Sequence, residues 1–405
     1  MAGKQTFQGL KVMDFSWYAV GPQTARYLGD NGAEVIRIES SVSPDGLRRS
    51  GPFKDGENGP NRSGYFNNQN PNKYGLSLNL KLPQAVDIAR KLVARADVVT
   101  ESFTPGVMER FGLGYDDLAK INPGIIMISM GAQGRGGPYS YHSAFGHVQQ
   151  ALCGINHLTG WPDGYPTGVH GPYTDYFVPH IAASVVIAAL AYRRRTGRGQ
   201  YIELSQLEAS IHALETAILD YTVNGREQGR VGNRHPAATP HGVYRCLGED
   251  RWCVIAVFTD QEWEALCRVL GSPPWCADPR FSTASGRLNN ADELDCLVEE
   301  WTCRHPAEQV MAAMQAAEVT AGVVQNARDL HSDPQLMQRK HYWVLDHPEI
   351  GPSTYDSPAY KLSRTPSQGR MPAPCLGEHN QFVCGQILGI PDDEFVQMLA
   401  DAVFE

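Results

Sequence analysis

The stretch Gly9-Leu-Lys-Val-Met-Asp-Phe-Ser16, followed by a helical segment at residues 22–30 and by Ala33-Glu-Val-Ile-Arg-Ile-Glu39, decides the fold. Two short apolar runs separated by an amphipathic helix are typical of a parallel sheet that is covered on both faces. The same alternation continues with a helix at 82–96 and strands at 74–80, 97–103 and 124–132. The N-terminal third of the chain therefore predicts an α/β domain with a parallel sheet.

The turn after the first strand excludes one common use of such a sheet. A dinucleotide-binding domain needs Gly-x-Gly-x-x-Gly at that turn, so that the backbone can approach a pyrophosphate. This chain has Ser16-Trp-Tyr-Ala-Val-Gly-Pro22 there instead. We therefore discard a nicotinamide or flavin dehydrogenase.

The composition changes after Gly225, which indicates a second domain. A polar, proline-rich linker at 232–242 is followed by a predicted hairpin and three helices. The chain then returns to a strand at 343–346 and a helix at 392–402. We predict a large domain built from residues 1–225 and 331–405, with a smaller α+β domain inserted at 226–330. Helices are also predicted at 179–194 and 206–223, and Ser40–Asn72 is predicted to be a long loop.

Charge and composition limit the possible partners. The 405 residues carry a net charge of −9, which argues against nucleic acid or an anionic membrane as the main partner. The longest apolar stretch, Ile181–Tyr192, is shorter than the roughly 20 residues that a membrane-spanning helix needs. The first six residues lack the apolar core of a signal peptide. The nine cysteines include no Cys-x-x-Cys pair, which fits reduced thiols in the cytoplasm and no metal site.

Asp175 is the most distinctive candidate for chemistry, because it stands just before a long apolar helix. The N-terminus of a helix favours an anion, so the segment alone favours a capping or first-turn acid. A carboxylate with little polar company can also act as a nucleophile. Both interpretations stay open on this segment alone.

Six short motifs follow one another along nearly the whole chain: Val12-Met-Asp-Phe15, Val35-Ile-Arg-Ile-Glu39, Glu101-Ser-Phe-Thr-Pro-Gly106, Asp175, Thr196-Gly-Arg-Gly-Gln200 and Leu376-Gly-Glu-His379. In this order they resemble the class III CoA-transferase family, which includes formyl-CoA and carnitine CoA-transferases and the related α-methylacyl-CoA racemases. Each motif is weak alone, and their joint order is specific. The glycines of the fifth motif are expected to turn the chain after the helix, and the sixth motif is expected to be structural.

The resemblance implies a fold and an activity. The fold is a Rossmann-like large domain with an inserted small domain, in a dimer whose two chains interlock like linked rings. The activity is transfer of CoA from an acyl-CoA to a carboxylic acid, with Asp175 as the nucleophile that forms mixed anhydrides and an enzyme–CoA thioester. CoA esters are then substrates, and no tightly bound cofactor is expected. The partner is a second identical chain or a paralogous subunit.

The resemblance also implies the CoA site. Lys81 and Arg110 suit phosphates, and Phe103 or Phe111 suits the adenine. The family often has asparagine where this chain has Ser102. It has an arginine at the position of Ser40, which leaves Arg37, Arg48 or Arg49 as substitutes. Carried over residue by residue, the CoA contacts fall on Ala19, Leu78, Lys81, Ser102, Phe103 and Arg110.

The acid substrate is expected near Trp17, Tyr18, Phe145 and His241. This aromatic mixture favours a bulky, partly apolar acid, although the same residues could be ordinary core packing. The Trp17 turn and the run Tyr65–Lys73 resemble the branch of the family that acts on substituted dicarboxylic acids, such as benzylsuccinate, with succinyl-CoA as the donor. The resemblance thus implies an aryl- or alkyl-succinate as the acceptor. His241 could donate to an oxyanion or serve as a structural turn residue. Oxyanion donors are expected in segment 131–137 or 232–242.

Two alternatives to a transferase stay open. A racemase on this fold needs a histidine paired with the aspartate, and the aligned residue here is Phe145, with His147 two residues further on. The missing base favours a transferase. The second alternative is a non-catalytic subunit that supports an active paralogue.

Overall fold

The computed structural model describes residues 5–405, so the sequence-based prediction for the first six residues lies largely outside it. The chain divides into two compact units. The first contains the residues up to Asn156, Gly168–Glu227 and Gln335–Glu405, and the second contains His157–Thr167 and Gln228–Pro334. Residues 157–167, which the sequence assigned to the large domain, thus belong with the second unit.

A six-stranded parallel sheet organises the first unit. Its strand order is β3-β2-β1-β4-β5-β6, so the order reverses between β1 and β4. This confirms the predicted α/β class. The strands are β1 (Lys11–Asp14), β2 (Glu34–Glu39), β3 (Tyr74–Ser77), β4 (Val98–Glu101), β5 (Ile126–Gly131) and β6 (Gln200–Ser205).

Helices cover both faces of this sheet. Neighbouring residues of a strand point to opposite faces, so the apolar strands present side chains to both layers of helices. Val12 packs on the face covered by α1 (Val20–Asp30) and α8 (Tyr173–Thr196), and Met13 packs on the face covered by α3 (Pro83–Val93) and the C-terminal α17 (Asp392–Ala400). The C-terminal segment therefore returns to the first unit. The helices of this unit are α1 (Val20–Asp30), α2 (Gly64–Gln69), α3 (Pro83–Val93), α4 (Val107–Arg110), α5 (Tyr115–Ile121), α6 (Gly146–Leu152), α8 (Tyr173–Thr196), α9 (Gln206–Ile211), α10 (Glu215–Asn224) and α17 (Asp392–Ala400); α7 (Ile155–Leu158) and α16 (Pro334–Gln338) lie where the two units join in sequence.

Helix α8 is longer than the sequence predicted. It begins at Tyr173 and has Pro179 inside it, whereas the sequence placed the helix start at that proline. Its 24 residues are long and apolar enough to cross a membrane by length and composition alone, contrary to the sequence estimate. The core helix of a sheet protein has the same character. Val178, Ala182 and Val186 of this helix are fully buried against the sheet.

The chain turns sharply between α8 and β6, as the fifth motif predicted. Gly197 has a φ of 74° and donates its N–H to the carbonyl of Arg193 at 2.8 Å, which ends the helix. Gly199 lies so close to the backbone of Ile125 that an added Cβ would overlap its carbonyl. Arg193 pairs with Asp97 at 2.6 Å and ties the turn to the sheet.

The second unit is a separate α+β body. Its three-stranded antiparallel sheet has the order β7-β8-β9 and packs with Leu266, Val298 and Val310 of its helices. The predicted hairpin is confirmed, and β9 was missed because it is short and polar at its start. The elements are β7 (His241–Arg245), β8 (Trp252–Ala256), α11 (Asp260–Val269), α12 (Ala284–Asn289), α13 (Ala291–Thr302), α14 (Ala307–Ala316), β9 (Thr320–Val323) and α15 (Ala327–Ser332).

Two parts of the first unit differ from the sequence prediction. The predicted loop Ser40–Asn72 contains α2 and a short 3₁₀ turn at Gly46–Arg49. Ser63 caps α2 by accepting the N–H of Phe66, whose side chain is fully buried. The predicted strand near 343 pairs with an unpredicted one to form an antiparallel hairpin of β10 (Tyr342–His347) and β11 (Gly351–Asp356).

The turn after α8 yields a test of the fold. Gly199→Ala should destabilise the protein by about 1–3 kcal/mol more than Gly197→Ala, because it forces backbone apart rather than straining one dihedral angle. At Gly197 an added Cβ meets open space. Urea unfolding of both variants measures the difference. Equal losses would contradict the close approach of residues 199 and 125.

Candidate active site

A crevice opens at the carboxyl ends of the parallel strands, beside the point where the strand order reverses. In open α/β sheets ligands bind at this place, because loops diverge there to opposite faces of the sheet. The cavity measures about 260 Å³. Its walls come from residues 17–20 after β1, 102–105 after β4, 131–132 after β5 and Gln206 after β6.

Asp175 also lines this cavity, from the first turn of α8. Its carboxylate lies against Gly146, where an added Cβ would be 2.6 Å from Oδ1. Burial raises the pKa of Asp175 to about 7, against the opposing effect of a hydrogen bond from Thr174. Within residues 5–405, no cation contributes to this shift. The carboxylate is therefore both poorly solvated and unpaired.

Such a carboxylate is chemically unusual. A surface aspartate is fully ionised and hydrated near neutral pH, whereas this group is close to half-protonated. Its ionised form is poorly hydrated and has no cationic partner among the described residues, and either would otherwise lower its reactivity. A group in this state can attack an electrophilic carbonyl carbon.

Aromatic side chains form two walls of the cavity. Trp17 meets Phe103 edge-on, with ring centroids 5.5 Å apart, and Tyr18 meets Phe145 in the same way at 5.2 Å. Phe145 and Tyr18 remain partly exposed to the cavity. The structure thus brings together Trp17, Tyr18 and Phe145, which the sequence predicted, with Asp175.

The predicted CoA contacts fall into two groups. Ala19, Ser102 and Phe103 line the cavity, whereas Lys81 and Arg110 are exposed near the start of α3 and the end of α4. The Ser102 hydroxyl accepts the N–H of Trp17 at 3.0 Å and donates to its carbonyl at 3.2 Å. These bonds join the turn after β1 to the turn after β4.

Leu78 differs from these residues because its side chain is buried in the core. Only its backbone is therefore free to meet a ligand.

Two of the three suggested substitutes for the missing family arginine are wrong. Arg37 and Arg48 are fully buried and engaged in ion pairs, Arg37 with Asp45 and Arg48 with Glu39. Neither guanidinium can reach a phosphate without breaking a buried pair. Arg49 is the exposed residue of the three.

The histidines differ from the sequence expectation. His142, three residues before Phe145, also lines the cavity and was not predicted from the sequence. His147 is exposed on α6. His241 begins β7 in the second unit, where its Nδ1 hydrogen-bonds to the carbonyl of Asn233 at 2.7 Å and its ring packs on His235 and Phe258. These contacts support its structural role as a turn residue.

A larger cavity of about 560 Å³ lies around residues 336–369. Its lining includes Trp343, Tyr360 and Lys361 and contains no carboxylate or thiol that could carry an acyl group. The crevice beside Asp175 is therefore the better candidate for covalent chemistry.

The fold and the site together define the class of protein. The model of CoA-transferase family III matches residues 7–380, which is most of the chain. The chain belongs to CoA-transferase family III and is an enzyme of that type.

Named relatives and a solved structure agree with this family. The chain is 30% identical over 394 residues to succinyl-CoA–D-citramalate CoA-transferase of Chloroflexus aurantiacus, which covers 97% of each protein. It is 31% identical over 409 residues to a probable CoA-transferase of Mycobacterium tuberculosis, covering 99% of this chain but about half the length of that relative, 50%. The crystal structure of a CAIB/BAIF family protein from Brucella suis superposes with a TM-score of 0.88 at 28% identity, covering 95% of this chain and all of that chain.

The raised pKa of Asp175 predicts a stability change with a definite sign. The folded carboxyl, with a pKa of about 7, holds its proton more tightly than the unfolded one, at 3.8, so the loss of stability from its ionisation grows as the pH rises from 3.8 to about 7 and is complete above that pH. Asp175→Asn should therefore stabilise the protein by roughly 1–3 kcal/mol at about pH 8.5 and by little at about pH 3.5, where the carboxyl is mostly protonated in both the folded and the unfolded state.

Thermal unfolding at the two pH values measures this effect. Asp116→Asn is the matched control, because Asp116 is an exposed acid in the first turn of α5. It should not stabilise the protein at either pH. A loss of stability at high pH in Asp175→Asn would contradict the raised pKa.

Proposed function

We propose that this chain transfers CoA from an acyl-CoA to a carboxylic acid, with Asp175 as the covalent carrier. The observation that carries the proposal is a half-buried aspartate, without a cationic partner among the described residues and with a pKa of about 7, in the crevice at the strand-order reversal. Membership of CoA-transferase family III supports it.

The exchange proceeds in four balanced acyl substitutions. The Asp175 carboxylate attacks the donor thioester and expels CoA thiolate, which leaves a mixed anhydride. The thiolate then attacks the Asp175 carbonyl, which releases the donor acid and forms an aspartyl–CoA thioester. The acceptor carboxylate expels the thiolate again, and the thiolate finally attacks the acceptor carbonyl and restores the Asp175 carboxylate. Covalent catalysis replaces one difficult exchange by these easier steps.

The CoA ester is proposed to lie along the turns that follow β1 and β4. Ala19, Ser102 and Phe103 line the cavity beside Asp175 and would contact the part of CoA nearest the thioester. Lys81, Arg110 and Arg49 are exposed cations that would bind the phosphates. Leu78 would contribute through its backbone.

The acceptor is proposed to be a dicarboxylic acid with an apolar substituent, and the donor succinyl-CoA. A second carboxylate needs a cationic or hydrogen-bonding partner when it leaves water. His142 is the cavity-lining residue that can carry a positive charge. Trp17, Tyr18 and Phe145 offer apolar surface for a substituent, as in an aryl- or alkyl-succinate such as benzylsuccinate. The name of the Chloroflexus relative combines the same donor with a substituted dicarboxylate.

The working form is proposed to be an oligomer, either an interlocked homodimer or a complex with a paralogous subunit. Helix α10 has no buried residue, and Leu219, Tyr221 and Val223 on it are exposed. An apolar helix of this kind needs a partner surface in water.

The covalent role of Asp175 has a direct chemical test. Hydroxylamine added with succinyl-CoA should convert Asp175 to a hydroxamate in the wild type, because anhydrides and thioesters react with this nucleophile. Asp175→Ala should show no hydroxamate and no CoA transfer, as measured by peptide mass spectrometry and chromatography of CoA esters. Normal turnover by Asp175→Ala would rule out the mechanism.

The role of His142 predicts a selective loss. His142→Gln should raise KM for a dicarboxylic acceptor by at least about tenfold, because a charged hydrogen bond is worth about 1.5–3 kcal/mol. KM for a monocarboxylic acid of the same apolar shape should stay unchanged. His147→Gln, on exposed α6, is the control and should affect neither. Equal changes for both acids would remove His142 from the acceptor site.

A further inference from the structure

Tyr18 has an unusual backbone conformation. Its φ is 62°, in the left-handed region that a bulky aromatic residue rarely adopts. Its ring lies directly on Gly46, where an added Cβ would be 2.6 Å from the ring carbons. Strain of this kind persists only where the surroundings enforce it, and it concentrates at functional sites.

A buried ion pair enforces the conformation. Asp45 accepts the N–H of Tyr18 with both carboxylate oxygens, at 3.2 and 3.1 Å, and the N–H of Leu47 at 2.9 Å. Arg37 donates to the carbonyl of Ser16 at 2.9 Å and pairs with Asp45. The Arg37–Asp45 pair therefore fixes the backbone on both sides of Trp17 by hydrogen bonds.

This pair belongs to a larger network that is closed to water. Arg37 also lies 3.5 Å from Asp14 and 3.8 Å from Glu39, and Lys73 lies 2.8 Å from Asp14. With Arg48 on Glu39, three cations balance three carboxylates, and all six side chains are buried. Buried ion pairs add little net stability, because desolvation offsets their attraction. What this network supplies is a fixed geometry for the turn that it holds.

The turn leads by contact to the reacting group. The ring of Tyr18 packs edge-on against Phe145. The carbonyl of Phe145 accepts the N–H groups of Val148 and Gln149 and starts α6. The next residue, Gly146, lies against the Asp175 carboxylate. Movement of Tyr18 would thus disturb the wall that confines Asp175.

We propose that Asp45, held by Arg37, is a positioning residue for the reaction at Asp175. It keeps Tyr18 in the left-handed conformation, so that Tyr18 and Phe145 form the wall that holds the acyl group against the carboxylate. The inference rests on the proposed covalent role of Asp175. It assigns to a buried charge, which touches no substrate, control over the shape of the acyl site.

A double-mutant cycle tests whether Asp45 acts through Tyr18. The readout is kcat per active site, with active sites counted as Asp175 hydroxamate, so that a smaller folded fraction does not lower it. Asp45→Asn should lower this rate at least about tenfold, and Tyr18→Gly should lower it similarly. Asp45→Asn should then cost less than about twofold more in the Tyr18→Gly background. Equal losses from Asp45→Asn in both backgrounds would overturn the inference.

Asp30→Asn is the matched control. Asp30 is equally buried and pairs with Arg26 at 3.2 Å, but it lies at the far end of α1. This variant should lower Tm and leave the rate per active site unchanged. If Asp45→Asn does not fold, Tyr18→Gly decides alone, because glycine accepts the backbone conformation. It should keep Tm and lose rate, and a wild-type rate would refute the proposal. Absence of hydroxamate in the wild type would instead refute the proposed function.

Discussion

The site depends on keeping the Asp175 carboxylate away from water without a cation beside it. A lone charge in this state is costly, and the cost appears as a pKa of about 7. The fold meets this cost with a long helix packed on the sheet, Gly146 against the carboxylate and aromatic side chains in front of it. An arginine or lysine partner would stabilise the protein and quench the group. The absence of such a partner around this residue is consistent with a reactive carboxylate.

The paired charges lie in the protein core behind the turn at residues 16–18. This buried set contains Asp14, Arg37, Asp45 and Lys73. Arg37 and Asp45 hold the turn through hydrogen bonds to the backbone of Ser16 and Tyr18. Asp175 thus has no cationic partner among the described residues, whereas the buried charges around Arg37 and Asp45 are paired with one another. The first provides reactivity, and the second provides a rigid wall that does not compete for the substrate.

Much of the fold could be predicted, because parallel strands buried on both faces form continuous apolar runs such as that at Val12 and Val35. The start of α8 could not, since Pro179 resembled a first helical residue. The segment Ser40–Asn72 was also misjudged, because its polar composition is typical of a loop, while Asp45 and Arg48 are buried in ion pairs with β2 and Arg48 also donates to the distant carbonyl of Pro374. Asp175 was identified through its place among ordered motifs, and the helix start alone left its role open. His142 carried no local signal, since only the folded loop brings it to the cavity.

Isotope transfer tests the central claim most directly. During turnover with succinyl-CoA and an acceptor acid labelled with ¹⁸O in both carboxylate oxygens, the mixed anhydride should leave one labelled oxygen on Asp175 in each cycle. Mass spectrometry of the peptide that contains Asp175 should therefore show ¹⁸O in its side chain, and the acyl carbonyl of the product should keep the other label. An unlabelled Asp175 after many turnovers would show that the acyl group never passes through this carboxylate.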